Sequence, residues 1–299
     1  MKEYDNATLQ KVQQLEMMIL RDSLQLCAKH NLQMFGIAGT AIGAIRHGGF
    51  IPWDDDIDVA ILREDYDLFI SFAKQEMSDK YIVMNVQTDE NYPLMSTRLM
   101  LKDTQFREDA LKDIHCFLGI FLDIYVFDTL PDEEAQFKKQ CHQAFVISKL
   151  QILRSIPFPV LPYRGIKAHL IHAVTGLAHG VLKILGISKQ KIALKALQIA
   201  KKYDDQKDSK RVGFLFDTFP ELNIYKREDI FPLREISFNG IQFYLPRNVE
   251  KNLLIVYGDY MQLPPQDKRK NHYPYDLNFG RYQDASTEEI AAGKYDIHI

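Results

Sequence analysis

Cysteine is scarce in this sequence, which contains only Cys27, Cys116 and Cys141 among its 299 residues. Their spacing fits no zinc-binding pattern, and an odd number of cysteines does not build a disulfide framework. We therefore expect reduced thiols, no zinc site and a cytoplasmic location.

Long hydrophobic runs and an excess of basic charge are also missing. The sequence has no stretch of about 18 uncharged apolar residues, and residues 1–20 lack the apolar core and cleavage site of a signal peptide. The net charge of −3 does not suggest a general nucleic-acid binder, so no nucleic-acid partner is expected. With 46% hydrophobic and 26% charged residues, the composition is that of an ordinary soluble globular protein.

Motifs of several common enzyme classes are absent as well. The sequence has no G-x-S-x-G nucleophile elbow, no G-x-G-x-x-G dinucleotide fingerprint and no Walker A lysine pattern. These absences argue against α/β-hydrolases, Rossmann-type dehydrogenases and P-loop nucleotide hydrolases.

The order of predicted elements indicates an α+β fold in two regions. Residues 1–154 alternate helices with strands and are predicted to form the catalytic core. A proline-rich stretch near residues 155–165 marks the boundary. Residues 155–299 are predicted to be mainly helical, with one β-hairpin turning at Asn239-Gly240 and an irregular basic and aromatic segment at 259–278. We expect this second region to contribute to the substrate site.

The most informative stretch is GTAIGAIRHGGFIPWDDDIDVAI, from Gly39 to Ile61. It places Asp56 and Asp58 at the entrance of an apolar strand, where residues two apart share a face and lie roughly 6.5–7 Å apart at Cα. Carboxylates held this way repel each other, and a divalent cation such as Mg²⁺ or Mn²⁺ removes the conflict. The alternative is that they are solvated acids at a strand entrance.

A third acid, Asp123, interrupts the otherwise uncharged run of a second predicted strand. An ionised aspartate buried in a strand is costly unless it binds metal or pairs with an opposite charge. We predict that Asp123 is a third metal ligand, and an ion pair with an arginine is the alternative. Together with Gly39 and Thr40, which open a helix upstream, the three acids suit two-metal in-line displacement at phosphorus.

These motifs resemble those of LicD-type phosphotransferases, which belong to the nucleotidyltransferase-fold superfamily and are related to fukutin and the fukutin-related protein. The resemblance continues through REDYDLF, TRLMLKDTQF, FLGIFLDIYVFDTLP and VYGDYMQLPPQDKRKNH, and leaves out about 135–210. It implies a nucleotidyltransferase-like mixed sheet with flanking helices and a metal site at one edge.

The resemblance also implies an activity. Phosphocholine, or a similar phospho-alcohol, is transferred from a cytidine-diphosphate-linked donor such as CDP-choline to a sugar hydroxyl, and CMP is released. The bacterial acceptor is a teichoic acid precursor, a lipopolysaccharide or a capsule, often lipid-linked. By position, Asp56, Asp58 and Asp123 match the catalytic carboxylates that hold Mg²⁺ or Mn²⁺, and Asp123 helps to deprotonate the acceptor. Gly39 and Thr40 match the turn that contacts the nucleotide, although GTAIGAIR lacks the leucines of the commoner form.

Basic and aromatic side chains supply further candidates for the substrate site. The predicted substrate-binding cations are Arg46, Lys102 and His272. For each of them, a solvated surface position is the alternative. A choline cation is held by the faces of aromatic rings. The candidate rings are Trp53, Tyr125, Tyr257 and Tyr273.

Two other functions remain open at this point. A nucleotidyltransferase that uses a nucleoside triphosphate and releases pyrophosphate has the same metal site. A catalytically silent homologue with a cation site is the other, and the intact acids at 56, 58 and 123 argue against it.

Residues 145–186 are unusually apolar, and all their charged residues are basic. The stretch is too interrupted to span a bilayer, but an apolar helix with a basic fringe lies well in the interface of an anionic membrane. We therefore predict peripheral contact with the inner face of the plasma membrane. The alternative is that these helices cover the core of the C-terminal region.

Overall fold

A computed structural model describes residues 4–159, 161 and 165–298 of the chain. The predicted α+β class is confirmed. The α-helices of the described residues are α1 (Asn6–His30), α2 (Ala38–His47), α3 (Arg63–Glu76), α4 (Glu134–Ser155), α5 (Ile166–Ile184), α6 (Lys189–Ala200), α7 (Arg227–Ile230), α8 (Val249–Tyr257) and α9 (Thr287–Ala291). The strands of the same residues are β1 (Met34–Gly36), β2 (Asp58–Leu62), β3 (Tyr81–Met84), β4 (Thr97–Leu101), β5 (Gln105–Glu108), β6 (Phe121–Leu130), β7 (Arg211–Gly213), β8 (Ile224–Lys226), β9 (Arg234–Phe238), β10 (Ile241–Leu245) and β11 (Pro274–Asn278).

Local signals in the sequence fix several element ends. The Asp5 side chain accepts a hydrogen bond from the Thr8 N–H at 2.9 Å and so caps α1, which ends at Asn31 in the left-handed conformation. The hairpin of β9 and β10 turns at Asn239 and Gly240, which both have positive φ. Both features agree with the sequence-based predictions.

The central sheet is mixed and places the acidic motif at its edge. Its strands follow the order β1-β2-β6-β4-β3, and β7 and β8 extend it from β6. Strands β2 and β6 run parallel, whereas the other neighbouring pairs are antiparallel. The largest hydrophobic cluster includes Val59 and Ile61 of β2 on the face that packs against α1 and α3, and a smaller cluster includes Ala60 and Leu62 on the other face. The acids at the start of β2 therefore stand at the rim of a packed sheet.

The C-terminal region adds strands that local sequence signals did not predict. Strands β7 and β8 join the main sheet, and β11 pairs with β5, so the segment 259–278 ends in a strand. These pairings join residues far apart in the sequence, and such partners leave no local pattern. The division at residues 154 and 155 stays a prediction, and several strand pairs cross it.

The last described residues are tied to the first helix. Arg21 forms a two-bond ion pair with Asp296, at 2.6 and 2.7 Å. Buried Asp22 accepts hydrogen bonds from Lys80 Nζ at 2.6 Å and from the Ile297 N–H at 3.0 Å. The segment that follows β11 is thus packed against α1.

Among the described residues, no single helix is both long and apolar enough to cross a bilayer. The helices Ile166–Ile184 and Lys189–Tyr203 satisfy the length and composition criteria only as a pair, which is bent by 94°. Helix α6 uses Ile192, Ala196 and Ile199 to pack in a hydrophobic cluster with α4.

Candidate active site

Two aspartates face each other across the parallel strands of the sheet. Asp58 opens β2 and pairs in register with Asp123 of β6. The Asp123 N–H donates to the Ile57 carbonyl at 3.0 Å, which holds the two strands together at this level. The strand that was expected to include Asp56 begins at Asp58, so Asp56 lies in the segment just before it.

The start of helix α2 lies against the same acids. The Asp58 N–H donates to Thr40 Oγ1 at 2.8 Å, and Thr40 is buried. A Cβ atom added at Gly39 would lie only 3.1 Å from Asp54 Oδ2. The structure therefore brings the predicted Gly39-Thr40 turn and the acidic motif together.

His272 approaches the acids from the C-terminal region. Its backbone N–H donates to Asp55 Oδ1 at 2.7 Å, and its Nδ1 lies 3.4 Å from both Asp55 Oδ1 and Asp56 Oδ2. Potential ligand atoms of Asp54, Asp55, Asp56 and His272 all lie within 4.8 Å of one another. This closely spaced set of potential ligands has Asp56 in common with the predicted set of Asp56, Asp58 and Asp123.

Burial and mutual repulsion oppose ionisation of the acids. Burial, followed by the neighbouring aspartates, raises the pKa values of Asp54 and Asp58 well above the usual range. Burial also raises the pKa of Asp56, although the nearby His272 opposes this change. The hydrogen bond with Asp55 and the charges of Asp55 and Asp56 raise the pKa of His272 to about 10, so its imidazole is protonated at neutral pH.

The donor set fits a divalent cation. Within the described part of the chain, Asp58 Oδ1 is buried without a hydrogen-bond partner, and so are both carboxylate oxygens of Glu16. Burial and the charges of the four aspartates at 54, 55, 56 and 58 raise the pKa of Glu16 well above the usual range. His272 and Arg98 are cations in contact with the group, but carboxylates outnumber them. Hard oxygen ligands with excess negative charge are typical of Mg²⁺ and Mn²⁺ sites.

Asp123 also forms the ion pair that the sequence left as an alternative. Its carboxylate accepts from Arg98 Nε at 3.1 Å and from Ser96 Oγ at 2.8 Å. Arg98 is buried, bonds to Glu108 at 3.1 Å and lies over the Phe121 ring. The arginine thus holds Asp123 in place, and each carboxylate oxygen keeps a further lone pair for another ligand.

Arg46 and Lys102 bond to other parts of the molecule. Arg46 donates to the carbonyls of Tyr260 at 2.5 Å and Gln262 at 3.3 Å, which fastens the loop after α8. Lys102 follows β4, and its backbone N–H donates to the Lys80 carbonyl at 3.0 Å. Roles for these two side chains in substrate binding stay predictions.

The four candidate rings fall into two groups. Tyr125 lies beside the acids, because Asp58 and Asp123 add to the effect of burial in raising its pKa. Its ring centroid is 5.0 Å from that of Phe214. Burial and then Asp58 likewise raise the pKa of the partly exposed Tyr257. The other two rings each contact another side chain: Arg269 lies over Trp53 at 4.3 Å, and Tyr273 packs on Tyr4 at 4.7 Å.

Three residues of the site were missed by sequence reasoning. Buried Asp55 accepts from the Tyr4 hydroxyl at 2.7 Å as well as from His272, so it joins three distant parts of the chain. Glu16 had a usable signal, because it is the one acid on the apolar stripe of α1 between Val12 and Ile19. Tyr4 had none.

Comparisons with known proteins agree with this geometry. Residues 31–159 match the LicD/FKTN/FKRP nucleotidyltransferase domain. The lipopolysaccharide cholinephosphotransferase LicD of Haemophilus influenzae is 28% identical over 268 residues, which cover 89% of this chain and 96% of that protein. Uncharacterised proteins of Rickettsia prowazekii and Rickettsia typhi are each 43% identical over 47 residues, or 16% of this chain and 18% and 15% of theirs.

The matched domain is of the nucleotidyltransferase class, in keeping with the mixed sheet and its acidic edge. The chain is therefore similar to LicD-type phosphotransferases, through this domain and over most of its length.

Proposed function

We propose that this enzyme transfers phosphocholine from CDP-choline to a hydroxyl of a cell-surface glycan precursor and releases CMP. The observation that carries the proposal is the register of Asp58 with Asp123, next to Asp56 and with one buried Asp58 oxygen unpartnered among the described residues. The name of the Haemophilus relative supports choline as the alcohol and lipopolysaccharide as one acceptor class. A teichoic acid precursor and a capsule are the other acceptor classes.

Asp56, Asp58 and Asp123 are the residues that would hold Mg²⁺ or Mn²⁺, with Asp54 adjacent to them. Such a cation, when bound, neutralises charge on phosphate oxygens and makes a coordinated hydroxyl more acidic. Arg98 and Ser96 orient Asp123, whose remaining lone pairs accept the proton of the acceptor hydroxyl. The acceptor oxygen then forms its bond to the choline-bearing phosphorus, while the bond from that phosphorus to the bridging oxygen breaks and CMP leaves with the electron pair.

The donor phosphates would lie at the start of α2. Gly39 has no side chain between the backbone and the acids, and the first N–H groups of a helix attract anions. Protonated His272 adds a positive charge within 4.8 Å of an Asp54 carboxylate oxygen. The choline cation would lie against Tyr125 and Tyr257, since rings next to the acids can hold it by cation–π attraction.

A donor screen tests the proposal. The purified chain is incubated with Mg²⁺, a glycan acceptor and one of CDP-choline, CDP-ethanolamine, CDP-glycerol or a nucleoside triphosphate, and the nucleotide product is identified. We expect CMP from CDP-choline, dependence on the acceptor and loss of product in Asp58→Asn. Pyrophosphate from a triphosphate would instead identify a nucleotidyltransferase, and CMP only from another CDP-alcohol would replace choline in the proposal.

A further inference from the structure

Helix α5 carries its large apolar side chains on the side that faces solvent. They recur every three or four residues along the whole helix and are between 44% and 87% exposed. We call these residues the outer stripe: Ile166, Leu170, Val174, Leu177, Val181 and Ile184. The helix has 19 residues, so at 1.5 Å per residue the stripe is roughly 28 Å long.

The side of α5 that faces the protein is the more polar one. His172 hydrogen-bonds to the Pro159 carbonyl and His179 Nδ1 to the Leu153 carbonyl, each at 2.9 Å. Leu182 is the one residue of the helix that is fully buried, and the hydrophobic clusters of the described chain contain no residue of α5. A surface helix of a globular protein normally has the opposite arrangement. The large apolar side chains of α5 therefore lie mainly on its outer side and outside the hydrophobic clusters of the described residues.

The charge around α5 has one sign. Residues 135–203 contain 12 of the 37 lysines and arginines of the chain and none of its 40 acidic residues. The chain as a whole has a net charge of −3, so this basic region contrasts with an acidic remainder. A basic region around an apolar stripe complements a surface that is apolar inside and negatively charged outside.

We propose that α5 docks the protein on an anionic lipid bilayer, with its axis in the plane of the interface and the outer stripe towards the acyl chains. The inference rests on the exposed stripe and the missing acids, and it does not depend on the choline reaction. Helix α6 stays with the protein body because its apolar residues pack against α4. The membrane contact is therefore peripheral.

Flotation with lipid vesicles tests the proposal on the full chain. We expect flotation with vesicles of phosphatidylcholine and phosphatidylglycerol, weaker flotation with phosphatidylcholine alone, and release by high salt because salt screens the basic region. The triple variant Leu170→Ser, Val174→Ser and Leu177→Ser should reduce the apparent vesicle affinity at least about tenfold, which corresponds to about 1.4 kcal/mol. Its thermal unfolding should match that of wild type, since these side chains are 62%, 67% and 72% exposed.

Three single variants and one second measurement complete the design. Leu177→Ser should weaken flotation, whereas Leu68→Ser, at a 50% exposed leucine of α3, should not. Lys183→Glu should weaken binding to anionic vesicles without affecting folding, so the test survives even if the triple variant unfolds. Sedimentation velocity reports whether α5 joins two copies.

Several results would overturn the proposal. They are wild-type protein that does not float at low salt, a triple variant that floats like wild type, and protein that resists extraction by carbonate and so spans the bilayer. A wild-type dimer that the serine variant dissociates, without flotation, would show that the stripe binds a second copy instead.

Discussion

Ionisation of Asp58 is unfavourable in the folded protein. Burial and the charges of Asp56, Asp123 and Asp54 raise its pKa well above 3.8 in the folded chain. Between the unfolded and the folded pKa, the folded state binds more protons than the unfolded state. Stability without metal should therefore fall as the pH rises through this window.

The first prediction is that Asp58→Asn reduces turnover at least about 100-fold. The same variant should raise the stability of the metal-free protein by about 1 kcal/mol at neutral pH. The amide removes a repelled charge and also a cation ligand. Urea unfolding in the presence of a chelator, at several values between roughly pH 5 and 8, measures the stability of the wild type and the variant. A variant that loses stability with the same pH slope as wild type would contradict the assignment.

The second prediction is that replacing Asp123 lowers the stability of the metal-free protein, which is the opposite of the effect expected at Asp58. Asp123→Asn leaves the buried Arg98 with Glu108 as its remaining carboxylate partner, so the metal-free protein should lose about 2 kcal/mol. Turnover should also fall strongly while donor affinity changes little, because the proton acceptor acts in the transition state. If only donor affinity fell, Asp123 would be a binding residue and not the proton acceptor.

At the scale of elements, α8 ends at a ring that we place beside the choline group. Tyr257→Ala should raise KM for CDP-choline about tenfold and leave the binding of CDP-glycerol, whose alcohol group is uncharged, nearly unchanged, since the lost interaction is cation–π attraction. Tyr257→Phe keeps the ring and is the matched control, with KM close to that of wild type. Equal losses for both donors would assign Tyr257 to the nucleotide or to folding.

Elements with local signals were the predictable part of the fold. The cap at Asp5, the turn at Asn239-Gly240 and the alternation around Asp58 each depend on residues within a few positions of one another. The pairing of β11 with β5 does not, because its partners lie more than 160 residues apart. The same limit applies to the site: the sequence named Asp56, Asp58, Asp123 and His272 as candidates, but it did not indicate that Tyr4 and His272 would share Asp55.

At the scale of the whole molecule, the last described residues stabilise the first helix. Asp296→Ala should cost about 2 kcal/mol, because it breaks a two-bond ion pair with the mostly buried Arg21. Lys294→Ala is the matched control: it removes an ion pair to Glu289 in which both side chains are exposed, and we expect little or no loss of stability. Thermal unfolding of the two variants measures the difference, and equal losses would contradict a structural role for Asp296.

The contact between Asp55 and His272 has a consequence for the synthesis of the protein. The two residues are 217 positions apart, so a ribosome adding about 5–20 residues per second makes the histidine roughly 10–40 s after the aspartate. During that interval the nascent chain carries its acids without the imidazolium that later faces them. The finished site therefore arises only when translation has passed His272.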